Sequence, residues 1–282
     1  MPVFQHRPIA QFPIGNLPLH QHQQRILGHQ ALCHPQAWLD ATECAAWLHS
    51  ETQMLIDASG RALAWKQADP DPASAQLSPR SFLIEHPWDL LRANEQLLAA
   101  LTQHDIAGEV HPQAVIEGFI TLGEGSRILP GVFIEGNVII GKNCKIGPNC
   151  YLRGHTSIGD HCHIGQAVEI KNTIILDHSA IGHLSYVGDS VIGAFVNFGA
   201  GTITSNLRHD GKTHRSRSTS EGLIDTGRRK LGAIVGDSVH TGIHTAIYPG
   251  RQLWPHSSTR PGAVVQHDLP SPPPTSPHTA AQ

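Results

Sequence analysis

Aromatic side chains are scarce in this chain, at 5% of 282 residues. A core built on large rings is therefore excluded, and the 39% of apolar residues must pack as small and β-branched side chains in layers. No stretch approaches the roughly 18 apolar residues that a membrane-spanning helix needs. Residues 1–19 lack a charged segment followed by a long apolar run, so no secretory signal peptide is read there. Charge of one sign is missing too: 20 Lys and Arg stand against 23 Asp and Glu, a formal net charge of −3. Neither nucleic acid nor an anionic membrane has a global reason to bind. Five cysteines, an odd number without regular CxxC pairs, exclude a disulfide framework and a zinc ribbon. These absences together lead us to expect a cytoplasmic protein. Glycine is sparse at the front, where only Gly15, Gly28, Gly60 and Gly108 precede residue 109. No Gly-rich phosphate loop can be built from them, which argues against nucleotide chemistry in that half. Histidine is abundant instead: 21 of them make the charge shift strongly as pH falls through about 6.5.

What is present is a repeat. From Val110 an aliphatic residue returns every sixth position through Ile116, Leu122, Ile128, Ile134, Ile140, Ile146, Leu152, Ile158, Ile164 and Ile170. Four residues after each stands a small or β-branched one, among them Cys144, Cys150 and Cys162. Neither the helical period of 3.6 nor strand alternation explains a six-residue lock. It predicts a solenoid of triangular cross-section, a left-handed parallel β-helix, with the aliphatic residue pointing inward and glycine easing the corners. The cysteines become small buried hydrophobes rather than redox or metal groups. The register then shortens by one residue into Ile175, Ile181 and Val187, and once more into Ile192 and Phe198. A loop insertion at 204–233 follows, and the period returns at Val235, Thr241, Ile247, Leu253 and Thr259.

The expected architecture is mainly β. Residues 1–108 read as a small α+β region with an irregular start over 1–30. Within it come a helix in 37–49 that starts near Asp40 or Thr42, two strands in 53–66 joined by a turn at 57–60, and a linker at 70–79. An amphipathic helix over 87–101 closes the region. Residues 109–265 form the β-helix, and the Pro/Ser/Thr-rich 266–282 reads as a disordered tail.

A solenoid is a scaffold, so function sits where the pattern breaks. The richest break is 169–211, which holds Lys171, His183, Tyr186, Asn197 and Asn206. The segments VEIK, IGHLSYVGDSVIG and VNFGAGTITSNLRHDGK, with DTGRRKLGAIVGDSVHTGI and PWDLLRANE, resemble the acetyltransferase domain of bifunctional sugar-1-phosphate nucleotidyltransferase/acetyltransferases, archaeal-type more than bacterial. The resemblance covers about residues 87–265. It implies transfer of acetyl from acetyl-CoA to the amine of glucosamine-1-phosphate or galactosamine-1-phosphate, with no metal, in a homotrimer whose sites lie between neighbouring solenoids. In that reading His183 is the general base, and Asn206 orients the amine or thioester. Arg153, Lys171, Tyr186 and Asn197 bind the sugar phosphate. The backbone N–H near Ala200 meets the thioester oxygen, and Arg208, Arg228, Arg229 and Lys230 face the coenzyme's phosphates.

Two departures stand out. Leu207, followed by Arg208 and His209, replaces the Tyr that bacterial members carry, and the nucleotidyltransferase half is missing. Two other readings compete. One is a regulatory scaffold that has lost activity. The other is a γ-type zinc carbonic anhydrase, suggested by His178 and His183 standing five residues apart.

Overall fold

The computed structural model describes residues 2–218 and 222–272. Most of them wind into the expected left-handed parallel β-helix, with three parallel sheets of eight, seven and eight strands as its faces. One coil shows the plan. Thr156–Ile158 lies on the first face, His163–Gln166 on the second and Glu169–Lys171 on the third. Upstream, partner residues stand eighteen apart, as Arg127 with Lys145 and Lys145 with His163. The hexad aliphatics stack inside, with Ile128, Ile134, Ile140 and Ile146 at most 1% exposed. Each buried side chain of this size contributes roughly 1.5–3 kcal/mol, so the solenoid gains stability coil by coil. Cys144, Cys150 and Cys162 belong to the same core. Burial pushes the Cys150 thiol up to about 12, which leaves it as packing rather than a nucleophile.

The first coil begins ahead of the expected boundary at 109. Asp105–Ile106 already pairs in parallel with Thr121 and Leu122, because Ile106 extends the first face by one strand.

The front region is more regular than its composition suggests. The start expected to be irregular contains helix α1, Leu19–Leu27, whose Leu19, Gln23 and Leu27 turn one buried face inward. Helix α2, Ala41–Leu48, begins where Asp40 caps it, accepting from the Glu43 N–H at 3.0 Å. The strands Met54–Ile56 and Ala62–Trp65 pair as expected. The expected linker contains a further strand, Ala75–Leu77, held in parallel against Met54–Ile56. Helix α3, Pro87–Ala99, starts with proline, and Asp89 reaches back to accept from the His86 N–H at 2.8 Å.

This region has its own small core around Trp47, Leu55 and Leu63. A second cluster joins it to the solenoid: Trp88, Leu90 and Leu91 of α3 pack on Ile174, Val191 and Ile234. Those three are outward residues of the first face, and they are apolar because α3 and its neighbours cover them.

The expected disordered tail is corrected over 266–272. Leu269 bridges to Leu253 and packs against the solenoid core, while Asp268 Oδ1 accepts from the Gln252 N–H at 3.0 Å. The remaining tail, 273–282, lies outside the described residues.

Candidate active site

Three consecutive departures from the repeat fall at one corner, where the chain passes from the third face to the first. In the upstream coils this corner carries Gly118, Gly136 and Gly154, all at positive φ. Two residues, Gly154 and His155, separate Arg153 from Thr156; in the next coil Asn172 alone separates Lys171 from Thr173. Asp189 alone does the same one coil later. The shortened corners take φ of 47° at Asn172 and 50° at Asp189, and Asn and Asp are among the few non-glycine residues that adopt this region readily. On the third visit the chain leaves altogether. The insertion departs after Thr204 and returns to the first face at Ile234, displaying an antiparallel hairpin of Arg215–Ser218 and Gly222–Asp225.

The result is a buried polar network. Asp189, 2% exposed, accepts from Lys171 Nζ at 3.0 and 2.9 Å, from Asn172 Nδ2 at 3.0 Å and from Asn206 Nδ2 at 2.6 Å. Asn206 Nδ2 also donates to the Tyr186 hydroxyl at 2.9 Å. The Asn206 carbonyl accepts from the Leu231 N–H and from His214 Nε2, both at 3.0 Å, so the insertion clamps the residue at which it leaves. Gly188 makes the cluster possible, because a Cβ there would collide with the Tyr186 hydroxyl and the Asn206 amide. Burial, then the Asp189 and Glu169 carboxylates, push the Tyr186 phenol above its usual range and keep it protonated. Arg153 stands one coil upstream on the same face, bound to Glu169 at 2.6 Å. Lys171 uses two donors on Asp189, which leaves its ammonium one more.

His183 lies at the other border of the third face, as the last residue of the second-face strand Ala180–His183. Leu184 turns the corner after it, with φ of 49° and 63% exposure, and His183 itself is exposed. A hollow of about 340 Å³ is lined by Gln166, His183, Leu184 and Ala200. The Ala200 carbonyl accepts from the His244 N–H at 2.7 Å, whereas its own N–H has no partner among the described residues. Burial, with Lys145 and His183 nearby, lowers the pKa of His163 one coil upstream.

The chain thus gathers Lys171, Tyr186 and Asn206 at one border and His183 with Ala200 at the other. Asn197 is exposed on the second face, between Ala180 and His240, apart from both groups. The basic residues of the insertion are dispersed rather than clustered. Arg208 pairs with Asp210 at 2.6 Å and lines a pocket of about 480 Å³ with Ser205, Leu207, Tyr248 and Pro249. Arg228 binds Glu95 of α3 at 2.5 Å. Arg229 Nε donates to the Gly211 carbonyl at 3.2 Å, and Lys230 bridges to Leu207 through the backbone. His178 is separated from His183 by a strand and stacks flat between His161 and Phe195, at centroid distances of 4.7 and 4.8 Å. Among the described residues no group of three His, Cys, Asp or Glu is placed to hold a metal ion.

Sequence reasoning missed Asp189, Asn172 and Glu95. The first two carried a signal: they are the single corner residues left by the two register slips.

The similarity of the β-helix to known proteins extends well beyond the quoted motifs. Residues 134–258 match the family model described as GMPPB C-terminal domain. The bifunctional sugar-1-phosphate nucleotidylyltransferase/acetyltransferase of Sulfurisphaera tokodaii is 43% identical over 186 residues, 66% of this chain and 46% of that protein. The bifunctional protein GlmU of Methanococcus maripaludis strain C7 is 50% identical over 186 residues, 66% of this chain and 44% of that protein. The match therefore spans less than half the length of these relatives. Among solved structures, the UDP-N-acetylglucosamine acyltransferase of Francisella novicida aligns with a TM-score of 0.32 at 18% identity, over 56% of this chain and 63% of that one.

Proposed function

We propose that this chain transfers acetyl from acetyl-CoA to the amine of an amino-sugar 1-phosphate. The observation that carries this reading is one hollow lined both by the exposed His183 and by Ala200, whose N–H has no partner among the described residues. A base and an oxyanion donor on one hollow are what direct aminolysis of a thioester requires. The neutral amine attacks the thioester carbon, and His183 accepts one proton from it as the C–N bond forms. The tetrahedral oxyanion is received by the Ala200 N–H. Collapse breaks the C–S bond, and the proton held by His183 passes to the departing CoA sulfur, leaving an amide and a thiol. No covalent enzyme intermediate is needed.

At the far border of the face, the free donor of Lys171, the Arg153 guanidinium and the protonated Tyr186 suit the sugar phosphate. Asn206 orients the acceptor, whereas Asn197 stands apart on the second face. Arg208, on its pocket beside the insertion, is placed to meet the coenzyme's phosphates, with exposed Lys230 bridged to the adjacent Leu207 and exposed Arg229 next to it in the chain. Arg228 is bound to Glu95 and serves the fold first. The two borders are separated by the width of a face, and Val115, Ile203 and Val264 stand 50%, 42% and 55% exposed on that face. A homotrimer that packs these faces together would bring one chain's His183 to another's phosphate-binding border.

Thiol release from acetyl-CoA, followed with glucosamine-1-phosphate and galactosamine-1-phosphate, tests the reading. We expect one of the two sugars to give turnover, and His183→Ala to lower kcat/KM by about 10²–10⁴-fold without unfolding the protein. No thiol release with either sugar would overturn the proposal. A fully active monomer by light scattering would overturn the shared site.

A further inference from the structure

We infer that Glu95, on the front-region helix α3, is a positioning residue for the acceptor end of this site, acting through Asn172 and Asp189. The inference rests on the proposed acetyl transfer and extends the site to a helix outside the solenoid.

Five side chains form one line of contacts across the junction between α3, the shortened corners and the insertion, in the order cation, carboxylate, amide, carboxylate, cation. Arg228 binds Glu95, with Nη2 on Oε1 at 2.5 Å and Nη1 on Oε2 at 3.4 Å. Asn172 Nδ2 donates to Glu95 Oε1 at 2.7 Å and to Asp189 Oδ1 at 3.0 Å, which uses both of its N–H groups. Asp189 then holds Lys171 and Asn206. Each carboxylate has its own cation, Arg228 for Glu95 and Lys171 for Asp189, and the neutral amide of Asn172 bridges the two anions. The half-buried Glu95 and the buried Asp189 carboxylates stand on one amide, and a cation on each offsets their mutual repulsion.

The chain of contacts has a direction. Asp189 is an acceptor only, so its orientation is set by whichever donors are themselves fixed. Lys171 and Asn206 are the groups that must stay available to a ligand. Asn172 is the fixed donor, because its backbone is committed to the corner and its side chain is pinned by Glu95. Glu95 is rigid in turn, since α3 is packed on the first face by Trp88, Leu90 and Leu91. Removing Glu95 frees Asn172 to rotate and lets Asp189 follow Lys171 and Asn206, so the phosphate-binding border loses its set geometry while His183 and Ala200 are untouched.

The test uses the full chain and steady-state thiol release. Glu95→Ala is expected to raise KM for the amino-sugar phosphate roughly tenfold, the size of one charge-assisted hydrogen bond, with KM for acetyl-CoA unchanged. Glu95→Gln keeps an acceptor for Asn172 while breaking the ion pair to Arg228. It should retain the wild-type KM for the sugar although its melting temperature falls. Asn172→Gly, which suits the positive φ and deletes only the amide, should reproduce Glu95→Ala. It also covers the case in which Glu95→Ala fails to fold. The double variant should be no worse than either single one, as members of one chain of contacts are not additive. An active wild type with unchanged sugar KM in Glu95→Ala, or an equal rise in Glu95→Gln, overturns this inference alone. A wild type that releases no thiol overturns the functional reading and this one with it.

Discussion

The pentapeptide Val-Gly-Asp-Ser-Val occurs twice in this chain, at 187–191 and at 235–239, and the two copies have different structures. In the first, Val187 points inward from the third face and the next inward aliphatic, Ile192, comes five residues later. The left-handed residue is Asp189, whose carboxylate is 3% exposed and holds Lys171, Asn172 and Asn206. In the second, Val235 points inward from the first face and the period to Thr241 is six. There the left-handed residue is Ser238, and Asp237 reaches the Ala194 N–H at 2.8 Å and Arg7 at 3.7 Å with its side chain 22% exposed. Identical residues make a buried hub in one place and a peripheral cap in the other. The difference lies in the corner: between the third and first faces the left-handed residue stands two after the inward aliphatic, as Gly154 does after Leu152, whereas between the first and second faces it stands three after, as His161 does after Ile158. Identical residues therefore form a hub or a cap according to the corner of the coil on which they fall.

The sharpest test of this contrast removes each carboxylate. Asp189→Ala leaves the nearly buried Lys171 ammonium without its counter-charge, which costs about 3–5 kcal/mol. Asp237→Ala loses one hydrogen bond to a backbone N–H and a long ion pair, a cost of about 1 kcal/mol. Denaturant titration of the two variants should separate them clearly. Equal destabilisation would mean that the network around Asp189 is no more than another surface cap.

The glycines of the two copies give a smaller but more selective contrast. A Cβ on Gly236 would run into the ring of Pro255 in the next coil, a rigid neighbour, so Gly236→Ala should lose about 1–3 kcal/mol of stability while turnover at saturating substrate stays the same. A Cβ on Gly188 meets the movable ends of Tyr186 and Asn206 instead. Gly188→Ala should melt close to the wild type and yet bind the amino-sugar phosphate several-fold more weakly. Melting temperature and sugar KM, measured on both variants, should move in opposite pairings.

The limits of sequence reading follow from the same contrast. The coils were legible because Ile116 through Ile170 repeat without a slip, and α3 was legible because Trp88, Leu90, Leu91 and Leu98 line one side of a helix. His183, Lys171, Tyr186 and Asn206 were singled out because the motifs around them are specific, and Lys171, Tyr186 and Asn206 share one network through Asp189 and each other. The helix α1 was missed because His, Gln and Pro dominate its segment, and its buried face is made by packing rather than by composition. Asp189 was passed over because in sequence it looks like Asp237; only the pairing of Lys171 with Gly188 places it at the shortened corner. Arg228 was read as facing a ligand, since nothing local in the sequence connects it to Glu95, 133 residues away.

The smallest expected effect concerns Tyr186, whose place before the second copy is taken by Ile234, directly ahead of Val235. Burial and the neighbouring carboxylates raise its phenol above the ordinary value of 10.0, so the folded protein keeps a proton that the unfolded chain gives up. Wherever the folded state binds more protons than the unfolded one, stability falls with rising pH. Tyr186 therefore adds nothing to the slope below pH 10.0 and makes the protein less stable as pH climbs from there toward the folded-state value. Tyr186→Phe loses the hydrogen bond from Asn206, about 1 kcal/mol at neutral pH, and should flatten the alkaline slope. Urea midpoints measured from pH 8 to 11 would check both parts. A variant with the full wild-type slope would place the alkaline sensitivity elsewhere and leave the phenol as an ordinary solvated hydroxyl.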